Sequence, residues 1–242
     1  MALLEAAGLG KRYGTKRVLW DVDLAFEAGE IAGVLGVNGA GKTTLLGCLA
    51  GMIGWDRGEV RLGGERLDRG RLDQRQRMMF LPGEGFHFGG ADTIRNAAIF
   101  SELWRGIEAQ PPIDLEEWLE RLGLLEIAFE SVETLSRGER YKAVLLALHC
   151  ADPEIWLIDE PFAAGMDARG MEAFRQLVLA AATRGRCIVY TTQFPELAAR
   201  FADRVVVVGS GGVLLNESTK DRDPEELIRQ LGQELGIHGA HS

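Results

Sequence analysis

Between residues 18 and 26 the chain alternates apolar Val18, Trp20, Val22, Leu24 and Phe26 with polar positions that include Asp21 and Asp23. A period of two predicts a strand with one face in a core and the other in water. After a turn at Gly29, the run from Ile31 to Gly36 is apolar throughout, as in a strand covered on both faces. It leads straight into glycine and a helical pattern lasting to Ile53. Gly63 and Gly64, between GEVRL and ERL, predict a hairpin turn, and MMFLP at 78–82 predicts another short strand. From 92 to 150 the character changes: Trp104, the Pro111–Pro112 break, Trp118 and Leu119 punctuate helical stretches, with no strand pattern. Strand-like runs return at Ile155–Ile158, Cys187–Thr191 and Val205–Val208, separated by helical stretches at about 167–184 and 195–201. This alternation predicts an α/β fold, a parallel sheet with crossover helices, carrying a helical insert. Asp223 to Gly236 reads as an amphipathic helix, with the final HGAHS as a frayed end.

Composition narrows the function classes. The 242 residues carry 36 acidic and 27 basic side chains, a formal charge of −9, which argues against a partner bound by neutralising nucleic-acid phosphates. A chain of this length and 46% hydrophobic content buries a core as one domain or as a large and a small one. Glycine is the outlier at 31 residues, against a usual share of about 7%, so its placement matters. Cys48, Cys150 and Cys187 lie far apart without a CxxC, which fits a reducing compartment better than a disulfide or zinc framework. The longest apolar runs fall far short of the roughly 18 residues of a membrane span, so the expected location is cytoplasmic.

Three motifs carry chemistry. Gly36, Val37, Asn38, Gly39, Ala40, Gly41, Lys42, Thr43 and Thr44 match GxxxxGK[ST] between a buried strand and a helix, where the phosphate-cradling mechanism requires it. Backbone N–H groups converge on phosphate oxygens, Lys42 reaches the β and γ phosphates, and Thr43 ligates Mg²⁺. The second motif is IWLIDE, an apolar strand ending in Asp159 and Glu160; in a P-loop sheet the first acid lies beside the metal and the second polarises an attacking water. The third, Leu135-Ser136-Arg137-Gly138-Glu139, opens a helix with Tyr141, Val144, Leu145 and Leu148 on one apolar face. Ser-x-x-Glu is also a capping box, so a purely local role is open. Its position 23 residues before Asp159 points beyond capping.

Together these residues resemble the ATP-binding cassette family, the nucleotide-binding subunits of ABC transporters, across nearly the whole chain and in order. GVNGAGKTT is similar to the family's phosphate loop, LSRGE to its LSGGQ signature, IWLIDE to its metal-and-base strand, and Gly165-Met166-Asp167 to its dimer-contacting loop. Tyr13 resembles the aromatic that stacks on adenine, the alternative being a surface aromatic in a hairpin. The resemblance implies a P-loop NTPase core with a mixed, mainly parallel sheet, an N-terminal antiparallel β-subdomain and an inserted helical subdomain. Residues 1–242 then form a single ATPase domain. Its core is 1–88 and 151–220, its signature-bearing insert 89–150, and its C-terminal helix and tail 221–242. ATP and Mg²⁺ are the implied cofactors. A second cassette subunit is an implied partner, its Ser136 and Gly138 completing the cage around the γ-phosphate. A separate membrane permease is the other, with the chain peripheral on the inner face of the membrane.

Two positions depart from the family. Where it has a glutamine after the MMFLP strand, this chain has Gly83 followed by Glu84, which is either a solvated acid or an oxygen ligand. Where it has a histidine contacting the γ-phosphate, the chain has Gln193, either a weakened phosphate sensor or a residue that merely starts a helix. Lys42, Asp159 and Glu160 are intact, so hydrolysis is expected. The LSRGE variant and the short tail lean towards the export-type cassettes. Phe86, His87 and Phe88, flanked by Gly85 and Gly89, fall where a permease docks, as an anchor or as local packing. Two rival readings are an ATP-gated dimerising module with negligible hydrolysis and a soluble cassette protein acting on ribosomes or DNA.

Overall fold

The computed structural model describes residues 2–106, 113–163 and 165–236. The chain opens with β1 (Leu4–Tyr13), β2 (Lys16–Phe26), β3 (Ile31–Leu35), α1 (Lys42–Leu49), β4 (Arg57–Leu62), β5 (Glu65–Arg66), α2 (Leu72–Gln76) and β6 (Met78–Leu81). Three helices follow without a strand, α3 (Thr93–Arg105), α4 (Leu115–Leu122) and α5 (Arg137–Ala151). The remainder alternates: β7 (Ile155–Ile158), α6 (Ala168–Thr183), β8 (Cys187–Thr192), α7 (Pro195–Phe201), β9 (Arg204–Gly209), β10 (Gly212–Ser218) and α8 (Pro224–Glu234).

Two sheets result. One is antiparallel, ordered β2-β1-β4-β5; the other is six-stranded, ordered β10-β9-β3-β8-β7-β6, parallel except where β10 runs back along β9. The central strands of the larger sheet alternate between two cores. Ile31, Leu35, Trp156, Ile158, Ile188, Tyr190, Val205 and Val207 face the helices α3 to α7. Ala32, Val34, Ile155, Leu157, Val189 and Val206 face α1 and the antiparallel sheet. A strand covered on both faces has no polar side to show, which is why these runs read as continuously apolar.

Two strands lie outside the hydrophobic pattern, and one helix departs from it. The N-terminal residues, without a clear alternation, form β1; its pairing with β2 is broken by three register shifts, and each bulge reverses the faces and erases a period of two. β10, also unforeseen, is an edge strand whose residues are half-exposed or exposed. Helix α5 has no single apolar face: from Tyr141 to Ala151 every residue is buried, Lys142 and His149 included, because α3, α4 and α6 surround it. The HGAHS end and the Pro111–Pro112 break lie outside the described residues.

Candidate functional site

The glycine-rich turn leaves the carboxyl end of β3. Gly36 N–H donates to the Thr192 carbonyl of β8 at 3.3 Å, and a Cβ at Gly36 would lie 2.7 Å from the Val208 carbonyl of β9, so no other residue fits this crossing. Gly41, at φ 101°, sits at the N-cap of α1. Lys42, the first residue of that helix, turns its side chain back under the loop: its Nζ donates to the Gly36 carbonyl at 2.7 Å and lies 2.9 Å from Glu160 Oε1.

Thr43 faces the same place. Its Oγ1 donates to Asp159 Oδ2 at 2.7 Å, across 116 positions of sequence. The other Asp159 oxygen, Oδ1, accepts from Thr191 Oγ1 at 2.7 Å, and Thr191 Oγ1 in turn accepts from the Glu160 N–H at 2.8 Å. Glu160 takes φ 45°, the left-handed region, and its second carboxylate oxygen is buried without a hydrogen-bond partner. Tyr141 OH reaches the Asp159 carbonyl at 3.5 Å; burial first, and then the charges of Asp159 and Glu160, push that phenol well above its ordinary range. The chain thus joins the ends of β3, β7 and β8 in one polar cluster of a lysine, two carboxylates and two hydroxyls. Thr191 and Tyr141 escape motif reading; the one signal is a pair of threonines closing an otherwise apolar strand.

The remaining candidates are placed more loosely. Gln193 follows β8 directly and is half-buried, and Phe194 N–H donates to Thr192 Oγ1 to turn the chain into α7. Gly83 lies against the acid pair: a Cβ there would meet the Asp159 carbonyl at 3.3 Å and Glu160 Cβ at 3.6 Å. Glu84 is exposed. Tyr13 ends β1 with half its surface exposed and Lys11 Nζ 5.3 Å from its ring centroid; the same hairpin returns through Val18, which packs on Gly41. Ser136 forms a full capping box with Glu139 at the start of α5: its N–H and Oγ donate to Glu139 Oε2 at 2.9 and 2.6 Å. Those two bonds hold the Glu139 carboxyl below its ordinary range. Neither Ser136 nor Gly138 bonds to the chain's own phosphate loop in the described residues. Asp167 caps α6 through Gly170 N–H at 2.8 Å, and Met166 is buried. Phe86, Phe88 and Phe100 pack edge-on against one another, and Phe86 remains 55% exposed, so the aromatic run is packed locally and still presents one ring at the surface.

As a cation site, the cluster offers hard oxygen donors from Thr43 and Asp159. No group of three or more His, Cys, Asp or Glu side chains able to hold a metal occurs among the described residues. Two protein oxygens fit a Mg²⁺ that takes its other ligands from phosphates and water, and do not suit zinc.

A family model described as ABC transporter matches residues 19–163. The chain belongs to the ABC transporter family. A daunorubicin resistance ATP-binding protein, DrrA3, of Streptomyces coeruleorubidus is 33% identical over 93% of this chain and 73% of its own length. An Fe(3+) ions import ATP-binding protein, FbpC, of Haemophilus influenzae is 30% identical over 88% of this chain and 61% of its own. The solved structure of an ATP-binding subunit of an ABC transporter, 23% identical, superposes with a TM-score of 0.84 over 95% of this chain and 99% of that one, which supports the fold. The chain is therefore an ABC-type ATP-binding subunit, a transport-coupled ATPase of a class that works with membrane permeases. No helix among its described residues is long and apolar enough to cross a membrane itself.

Proposed function

We propose that this subunit hydrolyses Mg²⁺-ATP at the cluster joining the phosphate loop to the end of β7, and that the convergence of Lys42, Thr43, Asp159 and Glu160 carries the assignment. Backbone N–H groups of the loop from Val37 to Gly41 surround the phosphates at the start of α1, where the helix dipole favours negative charge, while the Gly36 N–H stays on the Thr192 carbonyl and the Ala40 N–H on that of Val37. Lys42 exchanges Glu160 and the Gly36 carbonyl for the β and γ phosphates. Thr43 and Asp159 hold Mg²⁺, with Thr44 beside them on the helix. When bound, the ion screens phosphate charge and orients the γ-phosphate. Glu160, released from Lys42, accepts a proton from a water whose oxygen forms a bond to the γ-phosphorus. The bond from that phosphorus to the bridging oxygen of ADP breaks, and ADP and inorganic phosphate leave. Gln193 donates an amide N–H to the γ-phosphate without becoming cationic, and Tyr13 covers the adenine.

The capping box of Ser136, with Gly138 two residues along, faces the phosphate loop of a second cassette subunit, so two chains enclose two nucleotides. ATP closes this dimer and hydrolysis opens it. The motion passes to a permease that docks beside exposed Phe86, with the chain peripheral on the cytoplasmic face of the membrane. Relatives named for resistance and for import match this chain alike, so the direction of transport is assigned to the permease. The test compares Lys42→Ala with Glu160→Gln: the first loses ATP binding, and the second binds ATP, accumulates as a dimer and releases no phosphate. Phosphate release by Glu160→Gln at the parent rate overturns the assignment.

A further inference from the structure

We infer that Thr191 is a positioning residue for hydrolysis, a single hydroxyl that sets both Asp159 and Glu160; the inference rests on the roles proposed above for those two acids. Strand β8 is apolar and buried from Cys187 to Tyr190, and Thr191 follows with no solvent exposure. A hydroxyl in such a place is costly unless its hydrogen-bonding capacity is used. Thr191 uses it on β7: its proton goes to Asp159 Oδ1 at 2.7 Å and its oxygen accepts the Glu160 N–H at 2.8 Å.

The geometry explains why one group serves two acids. β7 and β8 run parallel in register, with Ile158 opposite Tyr190, so Asp159 and Thr191 are the next pair beyond the last ladder contact. There Glu160 turns to φ 45°, a conformation unfavourable for a residue with a Cβ, and its N–H leaves the ladder. The Thr191 oxygen takes the place of the missing strand acceptor. Its β-branched side chain has little freedom at χ1, so the hydroxyl is fixed once the strand is fixed. Asp159 is meanwhile held from two sides, Oδ2 by Thr43 and Oδ1 by Thr191. An ionised carboxylate has about four lone-pair sites, and two hydroxyl donors leave the others free for a cation in a plane that cannot rotate. Thr191 itself bonds no group of the phosphate loop in the described residues; it acts through the two carboxylates.

Partners of this kind, one shell behind a metal ligand, typically change metal affinity or activity about 10–100-fold when removed. The decisive variant is Thr191→Val, which keeps the volume and branching and removes the hydroxyl. Its kcat for ATP falls about 10–100-fold, and Thr191→Ser recovers most of the loss. A binding measurement separates positioning from general damage. Affinity for a fluorescent ADP in EDTA, which depends on the phosphate loop and Lys42, stays at the parent value, while the gain in affinity on adding Mn²⁺ shrinks in Thr191→Val and returns in Thr191→Ser. If Thr191→Val fails to fold, Thr191→Cys replaces it in the same comparison. Parent-like kcat and Mn²⁺ gain in Thr191→Val, or equal loss in the valine and serine variants, overturns the inference; so does a fall in metal-free ADP affinity matching the fall in kcat. Glu160→Gln in the same assay separates the two levels: if it is inactive while Thr191→Val is normal, only the inference fails, and if it is active the assignment of the base fails first.

Discussion

Strand β7 has a carboxylate cluster at each end, and the two are built on opposite plans. At its amino end Asp152, with φ 45° at the end of α5, has a side chain only 1% exposed. Arg184 and Arg186 lie 2.8 and 2.6 Å from its two oxygens and Arg105 approaches at 3.9 Å. Asp152, Arg186 and Arg105, with the Arg77–Glu154 pair, line a cleft of about 450 Å³. At the carboxyl end Glu160, also at φ 45°, meets one lysine, and Asp159 meets two neutral hydroxyls. The first acid is surrounded by permanent cations that cannot be titrated away. Of the second pair, Glu160 faces a lysine that a phosphate can draw away, and the two hydroxyls on Asp159 leave lone pairs open to a metal ion. A cleft and a cluster of charges therefore do not by themselves mark the reactive end; partners that can be exchanged do.

The largest test of that contrast is to neutralise one acid at each end. Glu160→Gln lowers phosphate release by about 10²–10⁴-fold, the usual share of a general base, and leaves the urea midpoint near that of the parent. Asp152→Ala does the reverse: it strands two guanidinium groups, costs about 3 kcal/mol of unfolding free energy in urea titration, and leaves nucleotide affinity unchanged. Equal effects of both substitutions on both measurements would erase the distinction.

A pH experiment sharpens it. His149 stacks edge-on between Trp118 and Trp156 and lies 3.4 Å from Arg184; burial, and then the Arg184 charge, hold its pKa down at about 3. Below an ordinary value of about 6.5 the unfolded chain takes up a proton that the folded chain refuses, so stability falls as pH drops from there towards 3. His149→Phe flattens this slope and narrows the gap between urea-derived stabilities at pH 7 and pH 4.5 by about 2 kcal/mol. Asp152 acts lower: burial alone would raise its carboxyl, but Arg186 and Arg184 hold it below the usual range. Its contribution is complete above about pH 4 and is lost as pH falls through its lowered value.

The smallest expected effect is at Gln193. Steady-state turnover falls roughly three- to tenfold in Gln193→Ala, the worth of one hydrogen bond, and is kept or raised in Gln193→His. Equal turnover in all three forms removes Gln193 from the site.

The parts of the fold readable in sequence are those where one physical demand dominates. β3, β7, β8 and β9 are apolar because both faces are covered, and the phosphate loop is visible because close backbone crossings demand glycine at fixed spacing. β1 is obscured by its bulges and β10 by its exposure at a sheet edge. Helix α5 misleads because burial on every side removes the polar stripe that periodicity needs. Within the site, Lys42, Thr43, Asp159 and Glu160 are legible because their spacing follows a common mechanism. Thr191 is not, since its role depends on which strand lies beside β7, and strand order is written in no local pattern.

Lys42 already has acceptors before any nucleotide arrives, in the Gly36 carbonyl and the Glu160 carboxylate. Loading this loop is consequently an exchange reaction, in which new contacts to phosphate form as old ones inside the chain are given up. The calorimetric heat of ADP association then reflects a difference between two sets of charge-assisted bonds rather than the full strength of either. Tight association of ADP with a small net heat is the signature of such a loop.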